Sequence, residues 1–378
     1  MKEFPEFGDS VVRYCQGGSP AMYRSLDLRR WVTIADGYEE RRHLHPLHEI
    51  LKAPMLLGYP NLLASGSLRA VSDGLDEFLS NADIVVVREP WQMVYVLDHA
   101  DPDAPVVYSS HNVETERFGD IEQPLFSEQV RKRVAALERR AVEETDAVIC
   151  TSDRDADVYR DQYNPGGPVI TAPNGAYEED LREHRPDSDD ANRVRQRYGI
   201  PTDATVSLFM GSNYRPNVEA AEIVVDVARD LEERDHDFRF LILGDVGNAL
   251  DGRSLPSNVT TTGYVTEDFE AHFDAADIAL NPMVSGGGTN IKLIEYFARS
   301  LPVVSTPFGA RGLDGGDETH LLVSDVAEIP ERLEKLRTDS KIRRRIGNNA
   351  RLLAAERYTW ESSSQHVRET LYELFGPF

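Results

Sequence analysis

The sequence predicts an α/β protein with two doubly wound parallel-sheet domains. Three observations support this class: the chain is long, strand-length apolar runs alternate with amphipathic helical segments, and this alternation occurs twice. With 378 residues, the chain exceeds what one hydrophobic core usually supports, so two domains of comparable size are expected. Because strands that alternate with helices pair in parallel, each series predicts a doubly wound sheet.

The first series lies in the N-terminal half. A convincing amphipathic helix at 129–144 carries its apolar stripe opposite charged residues and leads directly into a strand. The predicted strands of this half are 84–87, 106–110, 147–151 and 169–171.

The first fifty residues fit the pattern less well. If 11–15 and 31–35 are neighbouring parallel strands, the connection between them holds barely one short helix. Either a strand is missing from this interpretation or the topology is atypical.

The second series follows a polar connector at 185–190, where we place the domain boundary. We expect an N-terminal domain at 1–180, a C-terminal domain at 195–355 and a final segment at 356–378. The predicted elements of the second domain are strands at 206–210, 240–243, 259–262, 278–281 and 302–306, with helices at 218–232 and 290–298.

The composition excludes several classes of protein. Hydrophobic residues make up 40% of the chain and no apolar run approaches a membrane span, which argues against an integral membrane protein. A formal net charge of -24 opposes loose binding to nucleic acid. The acidic residues are spread along the whole chain, which favours a high-salt cytoplasm such as that of a haloarchaeon. Equal folding in dilute and molar salt would contradict that expectation.

The termini and cysteines also limit the interpretation. The first residues lack the basic and apolar regions of an export signal, so we expect a cytoplasmic protein. Cys15 and Cys150 have no His or Cys neighbours at ligand spacing, so neither a disulfide nor a zinc site is expected.

The most informative stretch, 281–295, follows a predicted buried strand and opens a helix. Consecutive glycines let the backbone approach a ligand, and the helix start supplies free N–H groups that bind phosphate. Lys292 and Glu295 share one helix face, so the amine can meet a diphosphate while the carboxylate accepts hydrogen bonds from ribose. Alternatively, the glycines form only a turn, Lys292 is solvated and Glu295 pairs locally. The turn residues are Ser285, Gly286, Gly287, Gly288, Thr289 and Asn290.

Ordered motifs of the second series resemble those of the GT-B glycosyltransferases, in particular the retaining family 4 enzymes. The resemblance covers 83–378 and is densest at 209–307. Besides the glycine turn with its Lys-x-x-Glu, the motifs are Gly211-Ser212, Leu243-Gly244, Gly263-Tyr264-Val265, Ala276-Asp277 and 302–306. The resemblance implies two Rossmann-like domains that face each other across a cleft.

The resemblance also implies an activity. A sugar would move from a UDP-, GDP- or other nucleotide-diphosphate sugar to a glycan or lipid-linked acceptor, with retention and without a metal or other cofactor. We see no Asp-x-Asp metal motif after a strand. Gly211, Ser212, Gly263 and Val265 would join the glycine turn in binding the donor.

The chain departs from the family pattern at two places. Where many members have a glutamate that touches the donor sugar, this chain has Gly287, so backbone N–H groups would contact the sugar. Where many members have an arginine and a lysine, it has Ser212 and Asn217. We predict that Arg215 and Lys292 neutralise the diphosphate instead.

In the first domain, a segment at the carboxyl end of the strand 106–110 resembles the family's His-Asn segment. The resemblance implies that His111 orients the donor sugar, with Asn112 and Glu114 on the acceptor or diphosphate side. The alternative for His111 is a structural hydrogen bond. Gly17 and Gly18 resemble the family's N-terminal glycine turn, although an ordinary turn explains them as well.

Other functions stay open at this point. A non-catalytic nucleotide-sugar-binding protein and an epimerase or hydrolase would use the same double fold. Lipid-linked acceptors would bring peripheral contact with the inner membrane face, and basic residues occur in pairs such as Arg29-Arg30, although solvated helix faces explain these pairs better. The segment 356–378 is expected to return to the first domain, with an unattached surface helix as the alternative.

Overall fold

The computed structural model describes residues 4–17, 22, 26–72, 74–119, 127–234 and 237–377. They form two compact units. Unit 1 comprises Met1–Pro173 and Ser363–Phe378, and unit 2 comprises Asn174–Ser362. The division therefore lies upstream of the polar connector at 185–190, and the last segment of the chain belongs to unit 1.

The N-terminal sheet differs from the parallel pair considered above. Strands β1 (Val11–Gln16) and β2 (Trp31–Ala35) are not neighbours, because β3 (Tyr38–His43) lies between them, parallel to β1 and antiparallel to β2. The missing strand is thus β3, which is polar in sequence and gave no hydrophobic signal. A two-residue turn containing Gly37 at φ 70° joins β2 to β3.

The main sheet of unit 1, as far as the structure describes it, has the order β4-β5-β6-β7 and is parallel throughout. It confirms the strands predicted for this half. The helices and strands that follow β3 are α1 (Pro46–Leu51), α2 (Leu62–Gly66), α3 (Leu75–Leu79), β4 (Val85–Arg88), α4 (Met93–His99), β5 (Val106–Ser109), α5 (Glu114–Arg117), α6 (Ser127–Glu143), β6 (Ala147–Cys150), α7 (Asp153–Gln162) and β7 (Val169–Thr171).

The C-terminal helix, Trp360–Phe375, is anchored in unit 1 over the part from Ser363 onward. Val367 and Leu371 lie in one apolar cluster with residues of β5, β6 and β7. Arg368 pairs with the nearly buried Asp9, with Nε 2.5 Å from Oδ2. Apolar burial and an ion pair therefore hold this helix against the unit that begins the chain.

Unit 2 is a parallel sheet with the order β10-β9-β8-β11-β12-β13 among its described strands. Its first helix occupies part of the predicted connector, because Ser188 accepts a hydrogen bond from the N–H of Ala191 and caps it. The elements are α8 (Asp189–Arg197), β8 (Thr205–Met210), α9 (Arg215–Glu233), β9 (Phe238–Leu243), β10 (Val259–Gly263), α10 (Phe269–Asp274), β11 (Ile278–Asn281), α11 (Ile291–Ala298), β12 (Val303–Ser305), α12 (Pro307–Ala310), β13 (Leu322–Val323), α13 (Ile329–Thr338) and α14 (Ser340–Arg357).

The strand order of unit 2 marks a ligand site. From β8 the chain proceeds outward through β9 and β10, and from β11 it proceeds the other way through β12 and β13. In open α/β sheets, ligands bind at the carboxyl ends of the strands where the order reverses. The segments that follow β8 and β11 are those with the predicted glycine motifs.

Among the described residues, no helix is both long and apolar enough to cross a bilayer.

Candidate active site

The glycine turn lies between the buried strand β11 and helix α11. Gly286 and Gly288 have φ values of 126° and 62°. Residues with a Cβ rarely adopt these backbone angles, so glycine is strongly favoured at both positions. Asn290 precedes the helix but its side chain makes no cap; it donates to Oδ1 of Asn281 instead, at 3.0 Å. The N–H of Leu293 donates to the carbonyl of Asn290 at 3.0 Å, so it is the N–H groups of Ile291 and Lys292 that keep their hydrogen-bonding capacity for a ligand.

Lys292 lies in the first turn of α11 in a neutral, largely apolar setting. Its Nζ donates to Oδ1 of Asn217 at 2.7 Å, lies 3.4 Å from the sulfur of Met283 and is 4.7 Å from the ring centre of Phe209. None of the carboxylates that the structure describes forms an ion pair with it. Burial lowers the pKa of this amine from 10.5 to about 7.

Glu295 lies one turn further along α11 and is oriented by Arg299. The guanidinium of Arg299 is 2.5 Å from Oε2 of Glu295 and also pairs with Glu270 and Asp180, at 2.7 and 2.9 Å. The Arg299 side chain is only 2% exposed. Burial raises the pKa of Glu295 although Arg299 opposes the shift. The carboxylate is thus held in place beside the glycine turn.

The turn after β8 forms the opposite wall. Gly211 leaves little room for a side chain, because a Cβ there would lie 3.1 Å from the Cβ of Asn217. The Asn217 amide nitrogen donates to the carbonyl and the hydroxyl of Ser212, at 3.1 and 3.2 Å. Asn217 therefore connects this turn to Lys292, a role that the local sequence pattern does not predict.

A cleft of about 770 Å³ separates these two walls within unit 2. Such a volume suits a small-molecule ligand. The predicted residues that line it are Gly211, Ser212, Ser285, Gly286, Gly287, Thr289, Asn290, Lys292 and Glu295.

Four predicted residues of unit 2 lie outside the lining of this cleft, and one of them is Gly288 of the glycine turn itself. Gly263 forms a bridge with Gly244 at the end of β10, and Val265 packs against the apolar core. Arg215 is 78% exposed, and its Nε is 3.1 Å from Oε1 of Glu219. Glu219 also accepts a hydrogen bond from Ser285.

Arg311 supplies a cation to the cleft where Arg215 does not. Its Nη2 donates to the carbonyl of Gly286 at 3.0 Å, and its guanidinium lies 3.7 Å from the ring centre of Phe308. Arg311 lines the cleft beside the glycine turn. Its position depends on the chain after β12, and nothing in the local pattern marked it.

In unit 1, His111 follows β5 at the carboxyl edge of the sheet. Its Nε2 lies 2.8 Å from Nε of Arg88, at the end of the neighbouring strand β4. Burial lowers the pKa of His111 to about 4, with Arg88 and Arg117 contributing. The side chain of Glu114 is buried, which raises its pKa to about 7. The structure thus places His111 and Asn112 in the loop after β5, and Glu114 at the start of α5 directly behind it.

Glu138 of α6 holds this loop in position. It is fully buried, and it accepts hydrogen bonds from the N–H groups of Glu114 and Thr115, at 2.5 and 3.0 Å. The hydroxyls of Thr115 and Tyr163 also donate to it, at 2.6 and 2.9 Å. The sequence does carry a signal for this role. Glu138 is a charged residue on the apolar face of α6, one turn after Val134.

Replacing Glu138 by Gln should destabilise unit 1 measurably. The amide nitrogen cannot accept a hydrogen bond, so buried N–H or hydroxyl donors of the loop lose their partner at a cost of roughly 1–3 kcal/mol. The melting temperature of this unit should fall by roughly 2–8 °C, measured by circular dichroism or calorimetry. Glu143→Gln is the matched control on the same helix, because its carboxylate forms a surface ion pair with Arg139. Equal losses in both variants would show that Glu138 has no special role in the loop.

The N-terminal glycine pair is only partly described. Gly18 lies outside the described residues. Gly17 has φ 85° and its N–H donates to the carbonyl of His43 at 2.8 Å. The ion pair of Lys52 and Glu49 occupies the space where a Cβ of Gly17 would lie. Gly17 therefore makes room for this ion pair.

Two family models match the chain, one in each half. Residues 2–179 match the model described as Glycosyltransferase Family 4. Residues 204–339 match the model described as Glycosyl transferases group 1. The second match contains the motifs at the carboxyl ends of β8 and β11, and the first contains the segment with His111.

Curated relatives align over part of their length. The alpha-D-kanosaminyltransferase of Streptomyces kanamyceticus is 24% identical over 191 residues, which is 48% of this chain and 48% of that protein. The uncharacterized glycosyltransferase MJ1069 of Methanocaldococcus jannaschii is 26% identical over 162 residues, or 40% of each. The chain thus spans about half or less of the curated relatives it matches.

Solved structures resemble the whole chain. Sucrose-phosphate synthase from Thermosynechococcus elongatus has a TM-score of 0.73 at 15% identity, covering 98% of this chain and 90% of that one. HepE from Anabaena, in complex with UDP and glucose, has a TM-score of 0.68 at 17% identity, with 97% and 100% covered. From its family matches and its fold, the chain belongs to the group 1, or family 4, glycosyltransferases of the GT-B fold.

Proposed function

We propose that the chain transfers a sugar from a nucleotide-diphosphate sugar to an acceptor hydroxyl, with retention at the anomeric carbon and without a metal ion. One observation carries the proposal: the ammonium of Lys292 has only neutral partners among the described residues, beside a glycine turn and an uncapped helix start. A half-buried cation in that setting is costly unless an anionic ligand completes it.

Each residue then has a task in the transfer. The turn N–H groups and Lys292 stabilise the negative charge that develops on the leaving diphosphate. Glu295, held by Arg299, accepts hydrogen bonds from the ribose hydroxyls. Arg311 takes the place of Arg215 as the second cation, because Arg311 lines the cleft. His111 of unit 1 orients the sugar.

Similar proteins support a sugar nucleotide as the donor. HepE was solved with UDP-glucose as well as with UDP, and the kanosaminyltransferase is a sugar transferase by name. We extend this donor class to the present chain. For the acceptor we propose a glycan or a lipid-linked saccharide, used in the cytoplasm or at the inner membrane face.

A two-stage experiment tests the proposal. First, UDP, GDP and their sugar conjugates are screened by thermal shift, and the true donor should stabilise the protein by about 2.7 kcal/mol at one hundred times its Kd. Second, the products are examined by NMR with a chelator present. A new glycosidic bond with the anomeric configuration of the donor should form only when an acceptor is added.

The alternatives give different results in the same experiment. An epimerase or hydrolase would change the donor without an acceptor. A non-catalytic binding protein would show the thermal shift and no product across an acceptor panel. Failure of every sugar nucleotide to bind would remove all three functions.

A further inference from the structure

Arg88 and His111 meet at one edge of the main sheet in unit 1. Strands β4 and β5 are parallel, and Arg88 is paired in register with Ser109, two residues before His111. Both side chains therefore leave the sheet at its carboxyl end. The Nε of Arg88 donates to Nε2 of His111 at 2.8 Å.

This contact determines where the imidazole carries its proton. A guanidinium only donates hydrogen bonds and stays protonated at all ordinary pH values. The Nε2 atom of His111 must therefore accept, with its lone pair directed at Arg88. The single proton of the neutral ring then belongs to Nδ1, because a proton on Nε2 would point at another donor.

The charged groups around the ring also favour the neutral imidazole over the imidazolium. Arg88 at the end of β4 and Arg117 of α5 are cations that oppose an imidazolium. The carboxyls of this edge have other partners, since Glu114 pairs with Arg117 at 3.4 Å and Glu89 accepts from the indole N–H of Trp91 at 2.9 Å. Because burial also lowers the pKa of His111, to about 4, the ring is neutral at physiological pH.

We propose that Arg88 is a positioning residue that keeps His111 as the neutral tautomer protonated on Nδ1, so that the ring offers this one N–H to the donor sugar. The role for the sugar rests on the proposed function. A neutral hydrogen-bonding group suits glycosyl transfer, because the sugar gains positive charge in its oxocarbenium-like transition state. An imidazolium at that place would repel the developing charge.

Nitrogen NMR of the full-length protein, without any donor, tests the tautomer directly. In the wild type, Nδ1 of His111 should be protonated and Nε2 unprotonated from pH 5.5 to pH 9, about the range over which a neutral ring is expected. In Arg88→Met, Nε2 should become protonated in a large share of molecules. The pKa of His111 should also rise, by about one unit.

Two further variants separate the hydrogen bond from charge alone. Arg88→Lys keeps a donor without a lone pair and should retain the Nδ1–H tautomer. Arg117→Met removes the second cation, which acts on the ring through its charge while it pairs with Glu114, so the tautomer should be unchanged and the pKa rise smaller. An Nε2–H ring in the wild type, or the same tautomer in Arg88→Met, would overturn the inference.

Kinetics connects the tautomer to catalysis. In Arg88→Met, kcat should fall about tenfold and acquire an acid limb at the new pKa, with the donor KM nearly unchanged, and Arg88→Lys should recover most of the loss. Unchanged kcat with an altered tautomer would overturn the catalytic part. Absence of donor binding by the wild type would instead sink the proposed function, and the NMR result would still decide the tautomer.

Discussion

Replacing Lys292 by Met should abolish useful donor binding while making the empty protein more stable. The ammonium is the cation nearest the helix start that we assign to the diphosphate, and it has only neutral partners among the described residues. Loss of a half-buried cation that completes an anion site costs roughly 100-fold in affinity. The thermal shift caused by the donor should therefore disappear in this variant.

The gain in stability follows from the pKa of Lys292. Burial lowers this pKa from 10.5 to about 7, so the folded protein binds the proton less tightly than the unfolded chain does. The burial penalty is complete below pH 7 and decreases as the pH rises toward 10.5. Methionine avoids it, so the variant should gain roughly 1–3 kcal/mol at neutral pH. That is less than the full shift implies, because the Lys292 side chain is still partly exposed to solvent in the cleft.

Calorimetric titration provides the measurement and an independent signature. Above pH 7 the wild type should take up a proton as the donor binds, because the diphosphate restores the charged amine, and Lys292→Met should take up none. Lys335→Met is the control, since Lys335 forms a surface ion pair with Glu318 in the same unit. Unchanged affinity in Lys292→Met, or an equal loss in Lys335→Met, would contradict the assignment.

The sheet of unit 2 was predictable because parallel strands that are buried on both faces have recognisably apolar sequences. The central strands β8, β9 and β11 are nearly or wholly buried, so they appear as continuous apolar runs. Strand β3 lies in a small sheet and buries the charged residues Glu40 and Arg42, so its run of Glu and Arg concealed it. Its position between β1 and β2 depends on pairing, which no local pattern reports.

The site divides in the same way. Lys292 and Glu295 share a helix face and follow a glycine turn, so their proximity follows from local geometry and the sequence was enough to predict it. Arg311 reaches Gly286 from 25 residues away, and Asn217 reaches Lys292 from 75 residues away. Such contacts depend on how the strands are ordered in the sheet. For that reason Arg215 was predicted in the cleft where the structure places Arg311.

Replacing Arg299 by Met should have the largest effect on the stability of unit 2. Arg299 is 2% exposed and its guanidinium pairs with Glu295, Glu270 and Asp180. Removing one partner of a buried ionic cluster leaves uncompensated charge and costs roughly 3–5 kcal/mol. Donor affinity should fall as well, because the carboxylate of Glu295 loses the partner that orients it. Calorimetric melting and titration with the donor measure the two effects.

The pH dependence of this loss distinguishes charge from packing. Burial alone would raise the pKa of Glu270, but the hydrogen bond and charge of Arg299 outweigh it and leave this pKa below its ordinary value. The stabilisation from this carboxylate is therefore present at neutral pH and is lost as the pH falls through its folded pKa. The cost of Arg299→Met should accordingly shrink toward pH 4, whereas a packing defect over Phe273 would persist. Arg197→Met, which breaks an exposed pair with Asp268, should cost less than about 1 kcal/mol at any pH. A pH-independent loss in Arg299→Met would mean that packing, and not the carboxylate cluster, explains why this arginine is buried beside the proposed nucleotide site.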